Sequence, residues 1–188
     1  LYYYTPDAKG LHQAVDFRNG TGLKAAMWAG AQMCPASHTK MVHGEGPKVR
    51  FEMPYLFLDR HGKRFMDENN TYVVKARTTA LQTLDNQAWV IVDSECPVLD
   101  KVIAKFDRLH SPYGKADTIE ELCKQVNLPE KNVVKEVKAY NDALAAGKLE
   151  DMVPPCTYKK PHPVAKAPFY AVPFQGGMTA TFGGPLIN

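Results

Sequence analysis

No run of about 18 apolar residues occurs in this 188-residue chain, so no segment reads as a membrane-spanning helix. No C-x-x-C pair occurs either. The four cysteines, Cys34, Cys96, Cys123 and Cys156, are widely separated, which excludes a haem attachment site and a zinc knuckle. They read as four reduced thiols, buried or idle, and no metal site is expected. Charge of one sign is scarce too: 23 Lys and Arg stand against 20 Asp and Glu, for a net +3. The two signs interleave, as in Lys131-Asn132-Val133-Val134-Lys135-Glu136, the pattern of a solvated helix face. The densest basic stretch, Lys159-Lys160 with His162 and Lys166, is broken by prolines and lacks an aromatic platform, which argues against nucleic-acid binding. The first residues, Leu1 to Pro6, show no basic segment leading into an apolar one, so no secretory signal is visible.

What remains is ordinary globular material: 45% hydrophobic, 23% charged, mean hydropathy −0.33. That apolar share with low net charge excludes intrinsic disorder. Residues 20–33 place Leu23, Ala26, Met27, Gly30 and Ala31 at helical spacing behind a glycine-flanked turn. Such a small-residue helix suits either close approach to a bound group or tight core packing. Residues 34–47, rich in small and polar side chains, read as a loop. Residues 55–59 read as a strand, Arg60-His61-Gly62-Lys63 as a turn with Gly62 at positive φ, and Arg64-Phe65-Met66 as the returning strand. Residues 73–84 have modest helical propensity, and 88–93, Ala-Trp-Val-Ile-Val-Asp, form the clearest strand.

The segment 117–147 is the most legible. Thr118 with Glu121 makes a capping box, and Ile119, Leu122, Val126 and Leu128 give that short helix an apolar side. Pro129 opens a second helix, whose stripe is Val133, Val134, Val137, Tyr140 and Leu144 and whose stop is Gly147. Prolines recur from 154 to 173, so that stretch reads as an extended linker. The Gly-rich tail, 176–184, reads as a strand or turn hugging a partner. Two short Gly-rich pieces thus flank a body of about 120 residues, a normal domain size. Both ends read as edges of a longer chain, and the expected fold class is α+β.

Five motifs, in order, resemble one family. Gly20-Thr21-Gly22-Leu23-Lys24-Ala25-Ala26-Met27-Trp28-Ala29-Gly30-Ala31 is similar to the T-G-D-G-…-A-…-A-G-A helix of the FAD-dependent fumarate reductase and succinate dehydrogenase flavoprotein superfamily, which includes 3-ketosteroid dehydrogenases. Gly62-Lys63-Arg64-Phe65-Met66-Asp67-Glu68 resembles its G-K-R-F-x-N-E hairpin. Asp117 to Leu122, with Tyr140-Asn141 beyond, resembles its T-I-x-E-L and Y-N helices. Ala167-Pro168-Phe169-Tyr170-Ala171 and Thr181-Phe182-Gly183-Gly184 resemble its return into the flavin domain. The resemblance implies a substrate-capping domain over residues 44–165, a small sheet with packed helices. Residues 1–43 and 166–188 are then stubs of the FAD-binding domain. The dinucleotide fingerprint, G-x-G-x-x-G after an opening strand, is missing, so FAD is expected in the full-length protein and not on this piece alone.

The chemistry so implied is hydride transfer between flavin N5 and an activated C=C or CH–CH group, with a protein acid exchanging the second proton. Tyr72 occupies the place of the family's proton-donor arginine, and Arg77 lies a little over one helical turn further. His43 and Thr181 match substrate-binding positions. Gly20, Thr21 and Gly22 match cofactor-binding ones. Two departures bear on the substrate: the histidine of H-x-T-x-G-G is Ala180, and the acidic residue of T-G-D-G is Thr21. A small dianion needs paired donors and cations, so a larger, less charged enoate, quinone or steroid-like molecule is expected. The other partner expected is the remainder of the chain's own FAD domain. Asp67-Glu68 offers no rival acid–base pair, since neighbours leaving a strand point apart, and no nucleophile-elbow context supports a hydrolase from Cys34 and His38. The competing reading is a stand-alone, non-enzymatic binding module with the same cap shape.

Overall fold

The computed structural model describes residues 12–13, 21–33, 40–44, 56–83, 86–181 and 184–186. Among these, the elements run β1 (His12–Gln13), α1 (Thr21–Trp28), β2 (Lys40–Gly44), β3 (Leu56–Leu58), α2 (Tyr72–Gln82), β4 (Gln87–Val92), α3 (Leu99–Arg108), β5 (Gly114–Ala116), α4 (Ile119–Val126), α5 (Glu130–Ala145) and β6 (Phe169–Thr181). Helices are interspersed with a mainly antiparallel sheet, the α+β class expected. β6 is its spine. Over residues 169–175 it pairs antiparallel with β4 and β5, and β3 extends that sheet beyond β4. Over residues 176–181 it pairs antiparallel with β2, and at 177–178 it pairs parallel with β1.

β-branched and aromatic residues explain the first half of this sheet. Ala88, Val90, Ile91 and Val92 of β4 are buried in near-continuous succession, as are all of β3 and Ala171, Val172 and Phe174 of β6. Burial of consecutive residues means both faces are covered. Phe57 meets Phe174 edge to face, with centroids 5.1 Å apart. The α4–α5 pair forms as its sequence demands. Thr118 Oγ1 accepts from the Glu121 N–H at 3.1 Å, Pro129 stands at the start of α5, and Val133, Val137 and Tyr140 are buried beneath it. Val134 and Leu144 are half-buried, and Gly147 follows at φ +66°. Burial pushes the Cys123 and Cys156 thiols up to about 11, so at neutral pH both are protonated and inert.

Four expectations need correction. The loop expected over 34–47 contains β2, whose strand character comes from its ladder with β6, not from its own Lys-Met-Val-His-Gly composition. Gly62 takes positive φ as expected, but the returning strand shrinks to one bridge, Leu58 to Arg64. The regular antiparallel partner of β3 is β4. The proline-rich linker ends at Pro168, because residues 169–173 belong to β6. Pro173 is tolerated two residues past Ala171, where the β5 pairing ends and no ladder donor is required on that side. Finally, α3 and β5 were not anticipated, although Leu99, Val102 and Phe106 make a buried helical stripe.

The stretch before β6 is a strap fastened at every few residues. The Arg64 guanidinium donates to the Pro154 carbonyl at 2.8 Å, and Asp67 accepts from the backbone and hydroxyl of Thr157. Tyr140 donates its hydroxyl to the His162 carbonyl, and Asn141 exchanges two hydrogen bonds with the backbone of Val164. Buried Asp93 accepts from the Ala165 and Lys166 N–H groups at 3.0 and 3.1 Å. The strap has no ladder of its own, so side chains satisfy its backbone.

Candidate active site

Two elements bring the expected reactive positions together. β2 lies beside the second half of β6, with His43 opposite Gly177 and Lys40 opposite Thr181. A register shift between Met41 and Val42 bends this ladder, a common device beside functional sites. α2, which begins at Tyr72 after the extended residue Thr71, packs chiefly on β2 and β6. The backbone positions of His43, Thr181 and Tyr72 therefore belong to one seam. Arg77 is on the same helix but exposed. Five residues along a helix turn about 500°, so positions 72 and 77 are about 140° apart around the axis. One of them at most addresses a given substrate.

The glycine-rich start of α1 behaves differently. Gly20 lies outside the described residues. Thr21 and Gly22 open a helix with no buried residue. Leu23, Met27 and Trp28 are exposed, Trp28 at 82%. Among the described residues, nothing outside its own helix and chain neighbours lies within 4 Å of where a Gly22 Cβ would stand.

Around the start of α2 the electrostatics are tightly organised. Glu68 is fully buried and receives the Arg64 Nε at 2.8 Å and a second guanidinium nitrogen at 2.6 Å. Burial works against the Arg64 charge, yet the Glu68 hydrogen bond and charge outweigh it and hold the guanidinium above its ordinary value. Burial also opposes ionisation of Asp67, but the hydrogen bonds from Thr157 and Asn69 hold its carboxyl below the usual range. Asp67, Glu68 and Cys156 bring ligand atoms within 4.8 Å of one another. Both carboxylates are engaged in hydrogen bonds within the protein, so the cluster acts as a structural knot. It ends four residues before Tyr72. Lys75, one turn into α2, is buried with its ammonium 5.0 Å from the centre of the Phe57 ring.

Elsewhere, an open groove of about 540 Å³ is lined by Lys115, Ala116, Asp117, Glu121, Lys124 and Gln125. It lies on β5 and α4, at the other half of β6 from β2, and carries charges of both signs. The seam between α2, β2 and β6 is the better candidate. Sequence reading missed Asn86 and Gly176 within it, although Asp85-Asn86 before a strand is a turn signal that tolerates positive φ.

The chain is similar to several known flavoproteins. A family model described as FAD binding domain matches residues 3–188. The probable fumarate reductase Ifc3 of Shewanella frigidimarina is 27% identical over 201 residues, covering 100% of this chain and 32% of the relative. The vinyl phenol reductase of Lactiplantibacillus plantarum is 26% identical, covering 88% and 41% respectively. The open conformation of a flavocytochrome c3 fumarate reductase superposes with a TM-score of 0.83 at 25% identity, over 100% of this chain and 34% of that one. The chain thus spans roughly a third to two fifths of the length of these relatives.

Proposed function

Because this chain belongs to the FAD binding domain family, we propose that it is the substrate-capping part of an FAD-dependent oxidoreductase acting on CH–CH or C=C groups. Residues 44–165 form the body of the cap, to whose sheet β6 adds residues 169–175, while 1–43 and the rest of 166–188 are stubs of the FAD-binding domain. The observation that carries this reading is the shared seam: β6 leaves the cap sheet at Gln175 and takes up β2 from Gly176. The helix bearing Tyr72 rests on that junction. The flavin, when bound, supplies hydride exchange at its N5. The start of α1 is the segment assigned to its polar edge, since a side chain at Gly22 is absent and a helix N-terminus favours anionic groups.

This chain's own residues bind, orient and protonate. Tyr72 donates the proton to the carbon that does not receive hydride, and Arg77 is the alternative donor. His43 and Thr181 hydrogen-bond a substrate oxygen, which polarises the double bond and stabilises the charge that develops on it. The substrate is an enoate, quinone or steroid-like molecule with little negative charge. Ala180 and Thr21 remove two polar groups that the resemblance associates with a dicarboxylate, and a vinyl phenol reductase stands among the relatives.

The test uses the full-length protein. We expect Tyr72→Phe to lower turnover about a hundredfold or more, in the range of a lost general acid. Arg77→Lys should do no more than this. Measuring kcat for both variants decides the assignment. The reverse order transfers the acid role to Arg77.

A further inference from the structure

The β4–β6 ladder keeps one register from Val92 opposite Tyr170 to Gln87 opposite Gln175. The next pair in that register is Asn86 opposite Gly176. There the main chain of β4 does not continue. Asn86 takes the left-handed conformation, φ 54°, which Asn tolerates better than most residues. Its side-chain amide then replaces the missing peptide. Nδ2 donates to the Gly176 carbonyl at 2.7 Å, and Oδ1 accepts from the Gly176 N–H at 3.0 Å. Gly176 is at the same time opposite Gly44, the last residue of β2 and the neighbour of His43. α2 lies directly upon it: a Cβ at Gly176 would stand 2.5 Å from the Ala76 carbonyl oxygen and 3.0 Å from the Ala80 Cβ.

We propose that Asn86 is a positioning residue, a two-bond clamp that fixes α2 and its first residue, Tyr72, against the β2 strand carrying His43. The proposal rests on the flavoprotein reading above for its consequence, but not for its geometry. A short planar amide donates and accepts at once across a single peptide, and does so without a change of protonation state. Gly176 supplies the room that lets the helix backbone approach. Misplacing a catalytic group by about 1 Å costs about a hundredfold, so a clamp remote from the substrate acts on turnover and not on substrate affinity.

Two variants of the full-length, flavin-loaded protein test this. Asn86→Gly keeps the left-handed backbone without strain and removes both bonds. Asn86→Asp keeps the size but sets a carboxylate against the Gly176 carbonyl; only its protonated form repeats both bonds. For Asn86→Gly we expect kcat per bound flavin to fall about tenfold to a hundredfold with KM little changed. In hydrogen exchange, amides of 72–82 should lose protection while those of 130–145 keep theirs. Asn86→Asp should be impaired at neutral pH and recover as pH falls towards 5, relative to the parent profile. Unchanged turnover with unchanged α2 protection, protection lost equally in α5, or an Asn86→Asp profile parallel to the parent would each overturn the clamp. A full-length protein that binds no flavin overturns the flavoprotein reading instead, and the α2 exchange pattern still decides whether Asn86 holds the helix.

Discussion

A carboxylate with no solvent exposure is costly unless its charge is matched, and Glu68 is matched by Nε and one terminal nitrogen of the Arg64 guanidinium. The same guanidinium reaches across to the Pro154 carbonyl, about ninety residues away, so one side chain joins the hairpin to the strap. Removing one partner leaves a buried charge alone. We therefore expect Arg64→Leu to destabilise the folded protein by about 3–5 kcal/mol, with the double variant Arg64→Leu/Glu68→Met restoring much of the loss. Urea unfolding of the two variants measures this directly, and simple additivity would remove the pair from the account. The spacing of Arg64 and Glu68 was visible in the sequence, within a motif that resembles a family hairpin. Its meaning was not, because the strap carbonyls that complete the knot are remote in the chain and proline-rich stretches give no pattern that announces a contact.

Legibility varied by element with how local each element's cause is. α4 and α5 were readable because caps, stripe and stop all lie within 117–147, and each cue appears where expected in the structure. β4 was readable from its β-branched run. β2 and the first half of β6 were not, since their pairing is long-range and their compositions, one polar and one proline-containing, favour loops. α3 was overlooked in spite of a buried stripe at Leu99, Val102 and Phe106. The contact between α2 and β6 yields a prediction at this scale. A methyl group at Gly176 meets a backbone oxygen at 2.5 Å, and helix or strand must shift to admit it. Gly176→Ala should cost about 1–3 kcal/mol. It should also lower stability more than an alanine at exposed Gly22 does, a comparison made by thermal melts. Equal stability to the parent would show that α2 does not rest on Gly176 as described.

Across the whole molecule, the fold has one architectural point: a single thirteen-residue strand belongs first to the sheet with β3, β4 and β5 and then to the ladder with β2 and β1. Positions 43 and 181 lie in the ladder of its second half with β2, and α2, which begins at position 72, packs on the same two strands, while Leu23, Met27 and Trp28 of α1 are exposed. The five motifs pointed to the family, whose model matches residues 3–188, but not to the strand shared by the two ladders. The substrate was less legible, since its reading rests on the departures at Thr21 and Ala180 alone. The most direct measurement is anaerobic: reduce the full-length protein chemically, mix it separately with a neutral vinyl phenol and with fumarate, and follow the flavin absorbance. The account predicts a yellow protein whose flavin bands return on mixing with the vinyl phenol and far more slowly with fumarate. A colourless protein, or reoxidation by fumarate alone, would contradict it.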